Sequence, residues 1–414
     1  MVATALAVAV SASLAACAAD SGPPVLTWYI NPDDGGQAEL AQRCTEEADG
    51  AYRIETSLLP RDAASQREQL ARRLAAGDSS IDIMSLDPPY IPELAEPGFL
   101  APVPEDLQRT DGIVQGAVDS ATWEDELVTV PFWANTQLLW YRKSVAEAAG
   151  LDMSGPVTWN QVMDAAAQEE KLLGVQGINA ESLTVWINAL VASGGGEIIT
   201  NPDAPADEIQ LGLDSDAGRA AAEIIGRIGQ ERLGGPGLPT ADENASMNLF
   251  QGDQGSFMVN WPFVWPAIND ANPEVVDDIG WAIYPQVDEG TEAAPPVGGI
   301  NLGVGAFSEH TDLAYDAVSC IVQPENQSWY FVSNGNPPSS EEAYDAPEVQ
   351  EQFPMADTIR QSLDQAVPRP QTPRYNEVSL GLQETWYPPA AVGENSPRQA
   401  TDLITAVLRG ERLL

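Results

Sequence analysis

Apolar and polar positions alternate along the chain in blocks that are typical of strands and helices in turn. Residues 25–30 form an apolar run that ends at Asn31, and residues 52–59 alternate as a second strand would. Residues 39–48 and 65–76 carry apolar positions at the spacing of amphipathic helices. This order predicts an α/β lobe with a mostly parallel sheet.

A third strand of this lobe places a carboxylate at the same edge of the sheet as Asn31. Residues 81–87 form a short buried-type strand that ends in Asp87. Ligands of open α/β sheets bind beyond the carboxyl ends of the strands. We therefore expect Asn31 and Asp87 to lie beside a ligand.

A second block of elements begins near residue 129 with a strand-like run to residue 141. A helix end, a turn and a strand follow across 249–261, and another strand covers 298–306. Helical patterns occupy 159–173, 184–193, 217–232, 311–322 and 398–409. Because 414 residues are too many for one ordinary core, we expect two or three domains.

The charge balance excludes one class of partner. The chain has 62 acidic and 19 basic residues, a formal net charge of −43. Affinity for nucleic acid comes mainly from Lys and Arg side chains that neutralise phosphates. We therefore expect no nucleic-acid partner.

The motifs of common catalytic and metal sites are missing from the sequence. The single histidine, His310, argues against a His-dependent triad or a His-rich metal site. The acidic pairs Asp33–Asp34 and Asp242–Glu243 have the chemistry of a glycosidase, but among 62 acids they are more simply solvated surface. We expect no enzymatic activity, no cofactor and no metal. A secreted carbohydrate-active enzyme is the alternative.

Aromatic residues near strand ends favour a sugar ligand. There are 11 Trp and 10 Tyr but only 8 Phe, and Trp and Tyr combine an apolar face with a hydrogen-bond donor. Trp133 lies near Asn135, Trp261 follows Asn260, and Trp28 precedes the end of the first strand. Core packing is the alternative for any one of them.

The first sixteen residues are small and apolar and lead directly into Cys17. The tetrapeptide Leu-Ala-Ala-Cys resembles a bacterial lipobox, so we expect cleavage before Cys17 and lipidation of its thiol; a short apolar helix with a chance cysteine is the alternative. No Lys or Arg precedes the run, so we expect the natural start to lie upstream of Met1. No other run approaches the ~20 apolar residues of a spanning helix, so lipid alone would hold the protein at the membrane.

Cys44 and Cys320 are the two remaining cysteines. Outside the cytosol two such residues usually pair, and two buried free thiols are the alternative. A disulfide would require both residues to lie in one lobe.

Four segments, taken together and in order, resemble a known family. They cover residues 72–103, 128–144, 249–265 and 297–321. The set is similar to the extracellular solute-binding proteins, family 1, of ABC sugar importers. Within that family the closer resemblance is to mycobacterial trehalose-binding lipoproteins, which share the pattern NTQLLWYR at Asn135 and VNWPFV at Trp261.

The resemblance implies an α/β, two-lobe periplasmic-binding-protein-like fold (type II) with an interlobe hinge and a ligand cleft. The signal peptide, lipobox and tether would occupy 1–23. The first lobe would comprise 24–130 plus 262–325, and the second 131–261 plus 326–414. Both remaining cysteines then fall in the first lobe, as a disulfide requires.

The resemblance also implies a sugar in the cleft, most closely trehalose, that is handed to ABC permease subunits in the membrane. The residues that match ligand contacts of the trehalose binders are Asn31, Asp87, Asn135, Glu243, Trp261, Gly299 and Arg369. A surface ion pair for Arg369 and helix capping for Glu243 are the alternatives. A maltose-type sugar and a glycerophosphodiester are the alternative ligands. We expect a monomer on the extracellular face of the cell membrane.

Overall fold

The computed structural model describes residues 22–202 and 204–414, and the predicted lipidation site Cys17 lies outside them. The predicted two-lobe α/β fold is confirmed, since two separate sheets each carry helices. Within these described ranges, no helix combines the length and apolar character that crossing a membrane requires.

The elements of the described chain follow the alternation that the sequence predicts. The strands are β1 (Val25–Ile30), β2 (Arg53–Leu58), β3 (Ile83–Leu86), β4 (Thr122–Trp123), β5 (Glu126–Leu127), β6 (Val130–Thr136), β7 (Leu138–Arg142), β8 (Leu172–Gly174), β9 (Gly255–Asn260), β10 (Ile279–Ala282) and β11 (Val297–Val304). The helices are α1 (Gly36–Glu47), α2 (Ala63–Ala75), α3 (Ile91–Ala95), α4 (Gln115–Ala121), α5 (Lys143–Ala149), α6 (Trp159–Gln168), α7 (Glu181–Ser193), α8 (Asp216–Gln230), α9 (Glu243–Gln251), α10 (Val264–Ala271), α11 (Thr311–Ile321), α12 (Pro324–Asn334), α13 (Glu341–Tyr344), α14 (Pro347–Gln352), α15 (Ala356–Gln365), α16 (Tyr375–Trp386) and α17 (Ser396–Leu408).

The first sheet has the strand order β2-β1-β3-β11-β6. β1 is parallel to β2 and β3, whereas β11 is antiparallel to both of its neighbours. The predicted mostly parallel sheet therefore holds except at β11. This strand starts at the edge where β3 and β6 end, because the chain enters it from the side of the second lobe.

The core of the first lobe corrects one aromatic prediction. Trp28 is fully buried and packs edge-on against Phe132, with 6.1 Å between the ring centroids. Its indole nitrogen donates to the Ser85 hydroxyl at 3.0 Å. Trp28 is therefore a core residue and cannot stack on a sugar, because β1 is an interior strand of the sheet and helices α1 and α11 pack with Trp28 in one core.

The second sheet has the order β10-β7-β9-β8, with β7 antiparallel to β9 and β10, and β8 parallel to β9. The single apolar block at 129–141 thus splits into two strands that belong to different sheets. The lobe boundaries expected from the sequence stay a prediction. Two strands pair in a different sheet from the one that those boundaries would assign to them. β6 pairs in the first sheet and β10 in the second, since the chain crosses between the lobes at these places.

A disulfide joins Cys44 in α1 to Cys320 in α11, the pairing that the sequence favoured over free thiols. The two Cα atoms are 5.9 Å apart, and the cysteines are 276 positions apart in sequence. The bond ties the start of the first lobe to a helix that is formed only after the chain has returned from the second lobe.

Candidate functional site

Four of the predicted ligand residues converge at the carboxyl edge of the first sheet. Asn31 follows the last residue of β1, and Asp87 follows the last residue of β3. Asn135 lies near the end of β6, opposite Gly298 at the start of the antiparallel β11. Gly299, the next residue of β11, therefore lies at the same edge.

Gly299 lies where the backbone conformation and a neighbouring strand leave no room for a side chain. Its φ is +120°, and a Cβ atom built on it would lie 2.2 Å from the carbonyl oxygen of Trp133. Only glycine tolerates this conformation without strain. The backbone at the start of β11 therefore approaches β6 closely and presents no side chain.

Buried hydrogen bonds fix the backbone of Asn31. Gln37 donates from Nε2 to the Asn31 carbonyl oxygen at 3.0 Å, and the Ser85 hydroxyl donates to Oε1 of Gln37 at 2.9 Å. The side-chain oxygen of Asn31 is buried and has no partner among the described residues. The side-chain oxygen of Asn31 is therefore a free acceptor, and Gln37 fixes the backbone that carries it. No sequence pattern pointed to Gln37.

Asn260 positions two of the predicted binding residues, Glu243 and Trp261. It is fully buried at the end of β9, donates from Nδ2 to the carbonyl oxygen of Glu243 at 2.9 Å and accepts from the backbone N–H of Trp261 at 2.9 Å. The cap of α9 is Asp242, whose carboxylate accepts from the backbone of Ala245 at 2.7 Å. Glu243 is therefore not the capping residue, and its carboxylate is available for other contacts.

The carboxyl group of Glu243 lies in a poorly hydrated position next to Trp261. Burial raises its pKa above the ordinary value, and the charge of Asp242 raises it further, while hydrogen bonds from a backbone N–H and from Trp261 offset part of the increase. The Trp261 ring lies against β11, because a Cβ built on Gly298 would be 2.9 Å from that ring. Trp261 thus reaches from the second lobe to the edge of the first sheet.

Arg369 is buried between two carboxylates. Its Nη1 and Nη2 atoms donate to the two oxygens of Asp87 at 3.2 and 2.5 Å, and Nη1 also donates to Glu181 at 2.6 Å. Only 4% of the Arg369 side chain is exposed. The alternative of a surface ion pair is therefore wrong, since the segment between α15 and α16 carries Arg369 inward.

Two tyrosines complete the surroundings of this ion pair. Tyr90, just after β3, and Tyr375, at the start of α16, both donate to Glu181. Burial raises the pKa of each hydroxyl, and the charge of Glu181 raises it further. Both tyrosines are therefore protonated donors at neutral pH. No motif singled out Glu181, which is one acid among 62 at the start of a helix.

Some buried polar atoms among these residues have no hydrogen-bond partner within the described chain. Besides Asn31, they include Trp133 Nε1, Arg369 Nε and Gln371 Oε1, none of which has a partner among the described residues. An unpaired buried donor or acceptor costs about 1–3 kcal/mol, and such atoms also occur away from this edge, as at Trp159 in the core of the second lobe. Donors and acceptors beside a partly exposed aromatic ring are suited to a ligand rich in hydroxyl groups.

A surface cavity lies away from these residues. It has a volume of about 550 Å³ and is lined by residues 100–103 and by the β4–β5 hairpin of the first lobe. It contains none of the predicted ligand residues. In the described ranges, no group of three or more His, Cys, Asp or Glu side chains has the arrangement of a metal site.

Comparison with known proteins gives a family match over most of the chain. A model described as bacterial extracellular solute-binding protein matches residues 47–328. A probable ABC transporter-binding protein of Deinococcus radiodurans is 25% identical over 352 residues, which cover 80% of each chain.

Solved structures share the fold over nearly the whole chain. The maltose-bound MalE3 of T. maritima is 23% identical, with a TM-score of 0.81, and the match covers 94% of this chain and 100% of that one. The GacH receptor of Streptomyces glaucescens, solved without ligand and with acarbose, is 20% identical, with a TM-score of 0.78 and coverage of 94% and 98%. These likenesses establish the fold of the two lobes.

Proposed function

The chain belongs to the bacterial extracellular solute-binding proteins, and on that premise we propose that it captures a disaccharide, most closely trehalose, and delivers it to an ABC permease. It is a binding protein and not an enzyme, and its family acts on the outer side of the cytoplasmic membrane. The observation that carries the proposal is that two features share one edge of the first sheet. Asp87, paired with Arg369, follows β3 there, and the Trp261 ring, next to Glu243, lies against Gly298 at the start of β11.

The chemistry of these two pairs is suited to a polyhydroxy ligand. Each oxygen of Asp87 accepts one hydrogen bond from Arg369 and keeps a lone pair for a ligand hydroxyl. Glu243 has no cationic partner among the described residues, and its carboxylate, which accepts from a backbone N–H and from Trp261, keeps lone pairs for ligand hydroxyls. The adjacent Trp261 ring can cover the apolar face of a sugar. A pair of sugar hydroxyls would thus be oriented as well as bound.

The charge of the site argues against the phosphodiester alternative. Arg369 is the buried cation here, and Asp87 and Glu181 already neutralise it. Glu243 adds a third carboxylate, so the group of four carries a net negative charge when ionised. An anionic ligand would need clustered Arg or Lys side chains, so a neutral sugar is favoured over a glycerophosphodiester.

The fold likeness supports a saccharide of modest size. Two proteins with this fold are described as binding maltose and acarbose. The shared segments around Asn135 and Trp261 are what favour trehalose among such ligands.

A thermal-shift screen tests the ligand class. Trehalose at 100 times its dissociation constant is expected to add about 2.7 kcal/mol to the free energy of unfolding, which appears as a clear rise in melting temperature. Maltose and glycerophosphocholine serve as comparison ligands. A shift with maltose alone would replace trehalose by the maltose-type alternative. A shift with glycerophosphocholine alone would contradict a sugar ligand.

We further propose that Cys17 carries the lipid that anchors the protein. The apolar run that precedes it and the Leu-Ala-Ala-Cys sequence support this proposal. Mass spectrometry of the native protein is expected to find a diacylated Cys17 at the amino terminus. Recovery of unmodified peptides that span residues 1–16 from the mature protein would contradict it.

A further inference from the structure

The Glu181 carboxylate accepts hydrogen bonds from four side chains of the protein itself. One carboxylate oxygen accepts from Arg369 Nη1 at 2.6 Å and from the Tyr375 hydroxyl. The other accepts from the Ser379 hydroxyl at 2.6 Å and from the Tyr90 hydroxyl at 3.2 Å. Four donors fill the roughly four lone-pair positions of a carboxylate. Glu181 therefore has no acceptor left for a ligand, and its function is to hold other residues.

The donors of Glu181 come from both lobes. α7, which Glu181 begins, packs with α8 and α16 in the core of the second lobe, and Tyr375 and Ser379 lie on α16. Tyr90 follows β3 in the first lobe, and its ring packs edge-on against Tyr375, with 5.4 Å between centroids. The Arg369 guanidinium extends the contact to Asp87, at the end of the first sheet. Glu181 thus lies where the two lobes meet.

The bonds to Arg369 leave one edge of the guanidinium free. Asp87 takes one hydrogen from each terminal nitrogen, and Glu181 takes the second hydrogen of Nη1. The remaining hydrogens, on Nε and Nη2, lie side by side on the same edge, and Nε has no partner among the described residues. With the Asp87 pair alone, the guanidinium could tilt about that contact. Glu181 fixes the direction of the free edge.

From these contacts we infer that Glu181 is a positioning residue that couples ligand capture to lobe closure. It sets the free edge of Arg369 toward the cleft and latches the second lobe onto Tyr90 of the first. The inference rests on the proposed function, which supplies the ligand. It adds that Glu181 determines the lifetime of the closed complex. A latch of this kind shifts the open–closed equilibrium toward the closed form and so acts mainly on ligand release.

Replacing Glu181 by Gln tests the latch with little change in volume. The amide keeps one acceptor oxygen but loses the charge and presents N–H groups to donors. Trehalose dissociation, followed by stopped-flow tryptophan fluorescence, is expected to become about tenfold faster, while association changes by less than about threefold. Small-angle scattering of the unliganded variant is expected to give a larger radius of gyration than the wild type, because the latch also holds the unliganded lobes together.

Two further variants separate latching from general stability. Tyr90→Phe removes only the hydroxyl that crosses between the lobes, and should change release in the same direction by a smaller factor. Asp278→Asn is the matched control, since Asp278 is a half-buried carboxylate that pairs with Arg142 at 2.7 Å inside the second lobe. It should leave both the release rate and the radius of gyration unchanged.

The outcomes distinguish the inference from the proposed function. If the wild type binds trehalose and Glu181→Gln releases it at the wild-type rate, the inference is overturned and the proposed function stands. If the wild type gives no signal with trehalose, the proposed ligand is wrong. The radius of gyration of the unliganded protein then tests whether Glu181 holds the lobes together. An unchanged radius of gyration in Glu181→Gln and Tyr90→Phe overturns the inference about Glu181, and an increased radius in both variants supports that inference.

Discussion

Replacing Arg369 by alanine is expected to lower the free energy of unfolding by about 3–5 kcal/mol and to weaken trehalose binding by about a hundredfold. The substitution leaves the carboxylates of Asp87 and Glu181 facing each other in a buried place without their shared cation. Breaking a buried pair by removing one partner costs this much because the remaining charge stays uncompensated. The ligand also loses the free Nε edge. Chemical denaturation and calorimetry measure the two effects separately.

Arg142→Ala is the matched control for this substitution. Arg142 pairs with Asp278 at 2.7 Å, but the pair lies within the second lobe and is more exposed than that of Arg369. We expect it to lower stability less and to leave sugar affinity unchanged. Unaltered affinity in Arg369→Ala, with the protein folded, would remove Arg369 from the binding site.

Replacing Glu243 by Gln is expected to weaken trehalose binding by about ten- to a hundredfold while stabilising the unliganded protein at pH 7. A charge-assisted hydrogen bond nets about 1.5–3 kcal/mol, which accounts for the loss of affinity. The gain in stability comes from removing the charge, because burial raises the pKa of Glu243 and so disfavours its ionised form. The ionised carboxylate is therefore less favourable in the folded protein than in the unfolded chain.

The pH dependence of this effect has a definite sign. A group whose folded pKa is raised contributes stability below its unfolded pKa and loses that contribution as pH rises through the folded value. The melting-temperature advantage of Glu243→Gln should thus be present at pH 7 and disappear as pH falls below the ordinary value of 4.5. Trehalose affinity of the wild type should fall over the same interval, and that of the variant should fall less.

Glu93→Gln is the control for the Glu243 substitution. Glu93 pairs with Arg67 inside the first lobe at 2.5 Å, so the same change there should lower stability at pH 7 and leave binding intact. If Glu243→Gln destabilises the unliganded protein as Glu93→Gln does, the ionised Glu243 carboxylate stabilises the fold, and burial does not disfavour its charge.

The sequence predicted the parts of the fold that depend on local pattern. β1 has the predicted bounds, and α2 and β3 are shifted by at most two residues, because apolar spacing reports burial directly. Pairing of Cys44 with Cys320 followed from the oxidising compartment and from both residues falling in one lobe. Pattern also placed Asn31 and Asp87 at one sheet edge, since parallel strands end together.

Other features depend on contacts between distant segments and left no local signal. The run at 129–141 reads as one block, yet the chain leaves the first sheet between β6 and β7. The strand-end position of Trp28 resembled that of a binding aromatic, but β1 is an interior strand and helices pack over Trp28, so it is buried. Glu181 acquires its four donors only when residues up to 198 positions away fold onto it, so its sequence neighbours could not indicate its role.

The central claim is that the cleft binds trehalose, and titration calorimetry of the protein without its first 21 residues tests it most directly. We expect a saturable heat with one trehalose per chain, an affinity that falls about ten- to a hundredfold in Glu243→Gln, and no heat with glycerophosphocholine. An absence of heat with trehalose, together with saturable binding of a phosphodiester or of another unrelated ligand, would contradict it.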